Sequence, residues 1–132
     1  MEAIGKKRWI IPDCELPREG EGELKGHESV IIVNDNEEDV RIKVTLFFTD
    51  DPAYDGIEWT VKAKSVRCFR MNNITDMCGY TVPLETQYAM KLETIGQEKS
   101  KSLIFVVLEE FCKKFSHVYI SPKIYLLAHI KA

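Results

Sequence analysis

Apolar and polar residues alternate with a period of two along residues 40–49. The apolar positions of this segment are Val40, Ile42, Val44, Leu46 and Phe48. Successive side chains of a β-strand point to opposite faces, so the pattern predicts a half-buried antiparallel strand and not a helix. It is the clearest structural signal in the chain.

A run of β-branched residues at 30–33 precedes that strand and predicts another strand, covered on both faces. Turn-forming and charged residues at 34–39 separate the two runs. The two runs are therefore predicted to pair as a hairpin. Its open end carries a polar corner, Gly26-His27-Glu28-Ser29.

Further short strands are predicted on both sides of this hairpin. Residues 8–11 form a first strand that ends at Pro12, because proline cannot donate to a β-ladder. An exposed, glycine-rich and acidic loop follows, and strands resume at 57–63, 66–71 and 86–92 with turn-rich segments between them. Short strands at this spacing, with no convincing helix before residue 95, predict an all-β fold: an antiparallel β-sandwich or barrel in a single domain.

The C-terminal segment, residues 96–132, differs from the rest in charge. It carries 6 Lys and Arg against 3 Asp and Glu, whereas residues 1–95 carry 12 against 18. Its apolar run at 102–111 suits either a buried strand or one face of a helix, and periodicity does not decide between them. Strand fragments are predicted at 118–120 and 124–127, split by Ser121 and Pro122. We expect residues 1–95 to form the sandwich core and residues 96–132 to complete or flank the same domain.

Composition narrows the function classes. A chain of 132 residues with 45% hydrophobic residues can bury one core, and its net charge of −3 argues against nucleic acid as a partner. A signal peptide and an apolar run of membrane-spanning length are both missing, which predicts a cytoplasmic protein. Its four cysteines form no C-x-x-C pair and its three histidines show no metal-ligand spacing, so no metal or cofactor is expected.

The residues at the polar corner are candidates for chemistry. An imidazole beside a carboxylate, His27 and Glu28, can bind a polyol or form a structural hydrogen-bonded corner, and neighbours on a strand reach one site only at a strand end or bulge. Asp13 and Glu28 could form a catalytic carboxylate pair, but paired carboxylates are common on acidic surfaces. Nucleophile-elbow, phosphate-loop and dinucleotide motifs are all missing, which predicts a protein without catalytic activity.

Two tryptophans and two arginines complete the candidates. Trp59 is assigned to the core, whereas Trp9 is suited either to the core or to stacking on a sugar ring. Arg67 and Arg70 lie on opposite faces of one predicted strand, so one of them should face inward or toward a rim.

Several short motifs in order resemble those of the sensory rhodopsin transducer family. They are Arg8-Trp9-Ile10-Ile11-Pro12-Asp13, Gly26-His27-Glu28-Ser29, the Asn34 turn, the strand from Val40 to Asp50 and the strand end Arg70-Met71-Asn72. The resemblance covers about residues 4–95. Cys14 stands where the family usually has glycine, Gly26 where it has serine, and the two diverge after Thr94, as a divergent tail or a change of reading frame.

The resemblance implies a compact β-sandwich that assembles as a homotetramer. It further implies a non-enzymatic binding or regulatory module for a small polar, sugar-related metabolite, with Trp9, Asp13, His27, Glu28 and Arg70 as the ligand-binding residues. The alternative is a signal transducer that docks a membrane photoreceptor or another protein partner, for example through its basic tail.

Overall fold

Eight β-strands form the regular structure of the part of the chain that is described. The computed structural model describes residues 5–21 and 25–96, and the backbone of residues 105–113 and 120–127. The strands are β1 (Arg8–Glu15), β2 (His27–Asn34), β3 (Val40–Phe48), β4 (Tyr54–Val61), β5 (Ser65–Arg70), β6 (Gln87–Thr94), β7 (Phe105–Lys113) and β8 (Ile120–Leu127). No helix in the described part of the chain is long and apolar enough to cross a membrane.

The strands form two four-stranded sheets with antiparallel pairing between neighbours. The first sheet, sheet A, has the order β1-β6-β3-β4, and the second, sheet B, has the order β5-β2-β7-β8. One core cluster contains residues of both sheets, including Val44 and Leu92 from sheet A and Val30 and Phe69 from sheet B. The predicted all-β antiparallel sandwich is therefore confirmed.

The period-two pattern that predicted β3 describes most of its positions correctly, although Phe48 is only half-buried and Thr45 on the polar side is buried. Val40, Ile42, Val44 and Leu46 are fully buried, while Arg41 between them is exposed. The same alternation holds along β4 and β6, where Trp59 is only 2% exposed, as its assignment to the core predicted. In these three strands the sequence pattern alone determines which face packs against the core.

The predicted hairpin between β2 and β3 is wrong. The two strands lie in different sheets, so residues 35–39 cross from sheet B to sheet A and do not form a hairpin turn. Asn34 directs this crossing, because its buried amide donates to the carbonyls of Glu38 at 2.9 Å and Val61 at 3.0 Å. The expectation that residues 30–33 are covered on both faces also fails, since Val30 and Ile32 are buried while Ile31 and Val33 are half-buried.

The first strand does not end at Pro12 but continues to Glu15. Ile11 pairs with Met90 and Cys14 pairs with Tyr88, so β1 has one more residue than β6 between these pairs. This β-bulge shifts the alternation, and both Ile11 and Cys14 are buried. A bulge accommodates a proline because its backbone leaves the hydrogen-bonded ladder locally.

The C-terminal segment contributes two strands to sheet B. The ambiguous run at 102–111 is a strand where it is described, because β7 pairs with β2 from His27↔Phe111 to Val33↔Phe105. β8 runs without a break through Ser121 and Pro122, where two fragments were predicted, and it lies at the edge of the sheet, where a proline is tolerated. Residues 102–104 and 118–119 of those predictions lie outside the described residues.

Candidate functional site

Three loops meet at one end of the sandwich, here called the loop end. β1 finishes and β6 begins there, since Glu15 pairs with Gln87, and β5 finishes beside the start of β2, since Ser29 pairs with Arg70. The loops are residues 16–26, of which 16–21 and 25–26 are described, residues 49–53 and residues 71–86. Loops held by a rigid sandwich are where binding groups usually lie.

A cavity of about 350 Å³ opens at the loop end. Its walls are Leu16, Pro17, Glu19, Met71, Asn72, Ile74, Tyr80, Thr81, Val82 and Leu84. Most of these side chains are apolar, while a carboxylate, an amide and two hydroxyls supply polar groups. This volume and this mixture are typical of small-ligand pockets, which usually measure about 300–1,000 Å³.

One wall of the cavity is fixed by backbone pairing between two distant segments. Leu16 and Leu84 form a parallel bridge, and the amide of Glu85 donates to the carbonyl of Leu16 at 2.8 Å. Arg18 pairs with Glu85 at 3.0 Å on the outside of the same wall. These contacts hold the end of β1 against the segment that leads into β6.

The opposite wall belongs to a tight turn organised by Asp76. The Asp76 carboxylate accepts a hydrogen bond from the amide of Arg70 at 3.0 Å, and its carbonyl accepts one from the Trp59 indole at 2.7 Å. Asn73 caps the turn, because its side-chain oxygen accepts from the amides of Thr75 at 2.9 Å and Asp76 at 3.0 Å. Asp76 thereby joins β5 to β4 and sets the path of the chain between Met71 and Tyr80.

Glu28 lies between the two sheets and connects both walls. Its side chain is 0% exposed. One carboxylate oxygen accepts from the amide of Glu15 at 2.8 Å and the other accepts from the hydroxyl of Tyr88, while the Glu28 carbonyl accepts from the amide of Met71 at 2.9 Å. The carboxylate therefore holds the end of β1, and the backbone holds the start of the turn.

His27 points away from Glu28, as neighbouring strand positions must. Its ring is half-buried, and Nδ1 lies 3.1 Å from the carbonyl of Lys25. Arg70 lies opposite Ser29 on the neighbouring strand and is half-buried; its Nε has no hydrogen-bond partner in the described structure. Of the two candidate arginines, Arg70 is thus the one at a rim, while Arg67 is exposed and reaches Asp76 at 3.8 Å.

The remaining two candidates lie apart from each other. Trp9 is 7% exposed, belongs to the core cluster and donates to the carbonyl of Lys6 at 3.1 Å, at the end of the sandwich opposite the loop end. Asp13 is exposed on the bulge of β1. The structure therefore brings Asp13, His27, Glu28 and Arg70 to the loop end, and none of the five lines the cavity.

An aromatic pair borders the cavity. The rings of Tyr54 and Tyr80 stack with centroids 3.9 Å apart and an interplanar angle of 15°. Gly56 makes room for this pair, since a Cβ built on it would lie 2.5 Å from the Tyr54 hydroxyl oxygen. Burial raises the pKa of the Tyr80 phenol above its ordinary value, and Tyr54 and Asp51 act in the same direction.

Sequence reasoning did not find the cavity, because its walls come from segments more than fifty residues apart. The signals present were local ones: the turn-forming pair Asn72-Asn73 and the aspartate three residues after Asn73. They predict a tight turn but not its neighbours. In the described part of the chain, no group of three or more His, Cys, Asp or Glu residues is placed to hold a metal ion.

Comparisons with known proteins extend these observations. The family model described as Anabaena sensory rhodopsin transducer matches residues 4–97, which confirms the resemblance drawn from the sequence. The crystal structure of Thermotoga maritima 1070 is similar, with a TM-score of 0.72 and 21% identity over 91% of this chain and 92% of that chain. The structure of the Anabaena sensory rhodopsin transducer has a TM-score of 0.66 and 23% identity over 82% of this chain and 99% of that chain. A search of curated proteins finds no match.

Proposed function

Because the chain belongs to the Anabaena sensory rhodopsin transducer family, we propose that it is a non-catalytic binding module for signalling, which takes up a small metabolite at the loop end. The observation that carries this proposal is the cavity of about 350 Å³ between the loops. Its two walls are tied together by Glu28. A cavity whose walls are fixed in advance binds with a lower cost in lost conformational freedom.

The lining supports a ligand with both apolar and polar surface. The apolar side chains can cover the hydrophobic face of a ring, and Tyr80 offers an aromatic surface of the kind on which sugar rings stack. Asn72, Thr81 and Glu19 supply hydrogen-bonding groups for hydroxyls. A sugar-related metabolite, the class that the sequence resemblance implies, is compatible with this set.

A thermal-shift screen with sugars, sugar derivatives and other small metabolites tests the proposal. A ligand at 100 times its dissociation constant stabilises the folded state by about 2.7 kcal/mol, which is about 10 °C in melting temperature for a domain of this size. Ile74→Trp fills the mouth of the cavity at a residue that is 55% exposed, and it should abolish the shift. Ile10→Trp, at a comparably exposed residue outside the cavity, should retain it. Equal shifts in both variants would reject the cavity as the site.

A protein partner is the second candidate, favoured by the exposed apolar rim. Leu84 is 46% exposed and lines the cavity, as does Ile74, which is 55% exposed. Large exposed apolar residues around a concave surface are typical of protein interaction sites. The related structure is named as a transducer of sensory rhodopsin, so a membrane photoreceptor is the partner to test first. In a pull-down with a detergent-solubilised sensory rhodopsin, Leu84→Glu should weaken capture, whereas unchanged capture would exclude this rim as the contact.

The basic tail is a poor target for a deletion test. β7 pairs with β2 from His27 to Val33, so deleting residues 96–132 would remove two strands of sheet B and uncover the backbone of β2. Point substitutions are therefore preferable. The same pairing supports the proposal that the tail completes the domain formed by residues 1–95.

We further propose that the protein assembles as a homotetramer, as the sequence resemblance implies. Each sheet has two edge strands, which are β1 and β4 in sheet A and β5 and β8 in sheet B, and exposed edges favour pairing with further chains. Light scattering at micromolar concentration should report four chains of 15.2 kDa. A monomeric mass would contradict this proposal.

A further inference from the structure

The cavity contains one charged side chain among its described lining residues, the carboxylate of Glu19. The other polar groups are the uncharged side chains of Asn72, Tyr80 and Thr81. No described Lys, Arg or His forms an ion pair with Glu19. Glu19 is exposed at the wall of this mostly apolar cavity, and its carboxylate favours a ligand of opposite charge through Coulomb attraction.

The aromatic pair of Tyr54 and Tyr80 also favours a cationic ligand. The faces of a tyrosine ring carry partial negative charge and attract cations within about 6 Å of the ring centroid. Tyr80 lines the cavity, and Tyr54 stacks against it at 3.9 Å. Burial raises the pKa of the Tyr80 phenol, and the nearby Tyr54 and Asp51 act in the same direction, so Asp51 adds a negative charge close to this ring.

Two cations near the cavity in sequence, Arg18 and Lys25, are already engaged. Arg18 pairs with Glu85 at 3.0 Å, and the Lys25 ammonium donates to the carbonyl of Gly20 at 3.0 Å. Arg70 supports the opposite interpretation, an anionic ligand, because its Nε is buried without a partner. However, Arg70 is not among the residues that line the cavity. The charge presented inside the cavity is therefore negative.

We propose that the cavity selects a small organic cation: an amine whose ammonium group is bound by Glu19 and the Tyr80 ring, and whose ring or aliphatic body packs on the apolar walls. This inference rests on the proposed binding function of the cavity and adds the charge of the ligand. The ammonium contributes a charge-assisted hydrogen bond, which is about twice as strong as a neutral one.

Two sets of matched compounds test the charge directly by isothermal titration calorimetry. The first set has one pyranose body and comprises glucosamine, glucose and glucuronate. The second has one phenyl body and comprises phenethylamine, phenethyl alcohol and phenylacetate. In at least one set the amine should bind about threefold to thirtyfold more tightly than its neutral and anionic counterparts, as expected for an exposed ion pair with an added cation–π contact. Its affinity should fall as salt concentration rises, because ions screen an exposed charge pair.

Glu19→Gln provides the matched variant, since it keeps the size of the side chain and removes its charge. In Glu19→Gln the amine should bind no more tightly than the neutral compound. The melting temperature of the free protein should be unchanged. Glu85→Gln is the control, because Glu85 is an exposed carboxylate that pairs with Arg18 and does not line the cavity. In this variant the amine should still bind more tightly than the neutral compound.

The outcomes separate this inference from the proposed function. Tighter binding of a neutral or anionic compound, blocked by Ile74→Trp, would overturn the charge assignment and leave the binding function standing. An amine that binds equally well to Glu19→Gln would overturn the role of Glu19. No binding by any of the six compounds would overturn the inference, and the proposed function would then fall only if the wider metabolite screen were also negative.

Discussion

Replacing Glu28 by alanine should destabilise the fold and should not act only through a ligand. Its carboxylate is fully buried and accepts from the amide of Glu15 and from the hydroxyl of Tyr88. A polar group is stable in such a position only when it is hydrogen-bonded. Glu28→Ala leaves two donors, one on β1 and one on β6, without their acceptor.

The expected loss in free energy of unfolding follows from those two donors. A buried donor left without a partner costs about 1–3 kcal/mol, and the Glu15 amide is only partly buried, so Glu28→Ala should lower the free energy of unfolding by about 2–5 kcal/mol. Domains are typically stable by about 5–15 kcal/mol, so the variant should still fold but melt much earlier. Glu28→Gln should cost less, because its amide oxygen can accept from Glu15 and its amide nitrogen can donate to the oxygen of Tyr88.

Urea unfolding of Glu28→Ala, Tyr88→Phe and the double variant measures the contact itself. The double-mutant cycle should give a coupling energy of about 1–3 kcal/mol, since each single change removes the same hydrogen bond. Glu58→Ala is the control: it removes an exposed carboxylate paired with Arg41 at 3.4 Å, and such pairs contribute about 0–1 kcal/mol. A stability loss in Glu28→Ala no larger than in Glu58→Ala, combined with loss of ligand binding, would refute this reasoning and return Glu28 to the ligand site.

Three further predictions concern the cavity walls. Gly56→Ala should move the Tyr54 ring, because a Cβ there would meet the tip of this flexible side chain. Titration calorimetry should show severalfold weaker ligand binding, and urea unfolding should show little loss of stability. Asp76→Ala should lower the free energy of unfolding by about 1–3 kcal/mol in urea and alter the fluorescence of Trp59, because the amide of Arg70 loses its acceptor and the turn that binds the indole loosens. Tyr80 should ionise above the ordinary tyrosine pKa of 10.0 in an ultraviolet titration of wild type against Tyr80→Phe. Since the folded state holds this proton more tightly, its contribution to stability is present below pH 10 and is lost as the pH rises through the raised pKa.

The period-two pattern predicts much of the fold. It located β3, β4 and β6 and their buried faces, because alternation is a local consequence of strand geometry. It also predicted that His27 and Glu28 point in opposite directions. The pattern does not determine which strands pair with each other, and the predicted hairpin of β2 and β3 is wrong because the two strands lie in different sheets. Partner choice depends on tertiary contacts such as those of Asn34 with Val61.

The candidate site was less accessible to sequence reasoning for the same reason. The polar corner at the start of β2 indicates that binding groups lie at one end of the strands. The cavity, however, forms only because Leu16 pairs with Leu84, which is distant in sequence. For Glu28 and Trp9 the sequence leaves a binding role and a structural role open, and both side chains are buried. Burial of a carboxylate depends on donors from other strands, here Glu15 and Tyr88, which no local pattern reveals.

Amide chemical-shift mapping tests the central claim most directly. Isotope-labelled protein is titrated with the tightest-binding compound, and the amide resonances are followed. Binding in the cavity predicts saturable shifts concentrated at residues 16–19, 71–74 and 80–84, with residues 35–39 at the opposite end of the sandwich unchanged. Shifts centred on His27 and Arg70 with an unperturbed cavity, or shifts spread evenly over both ends, would contradict the account.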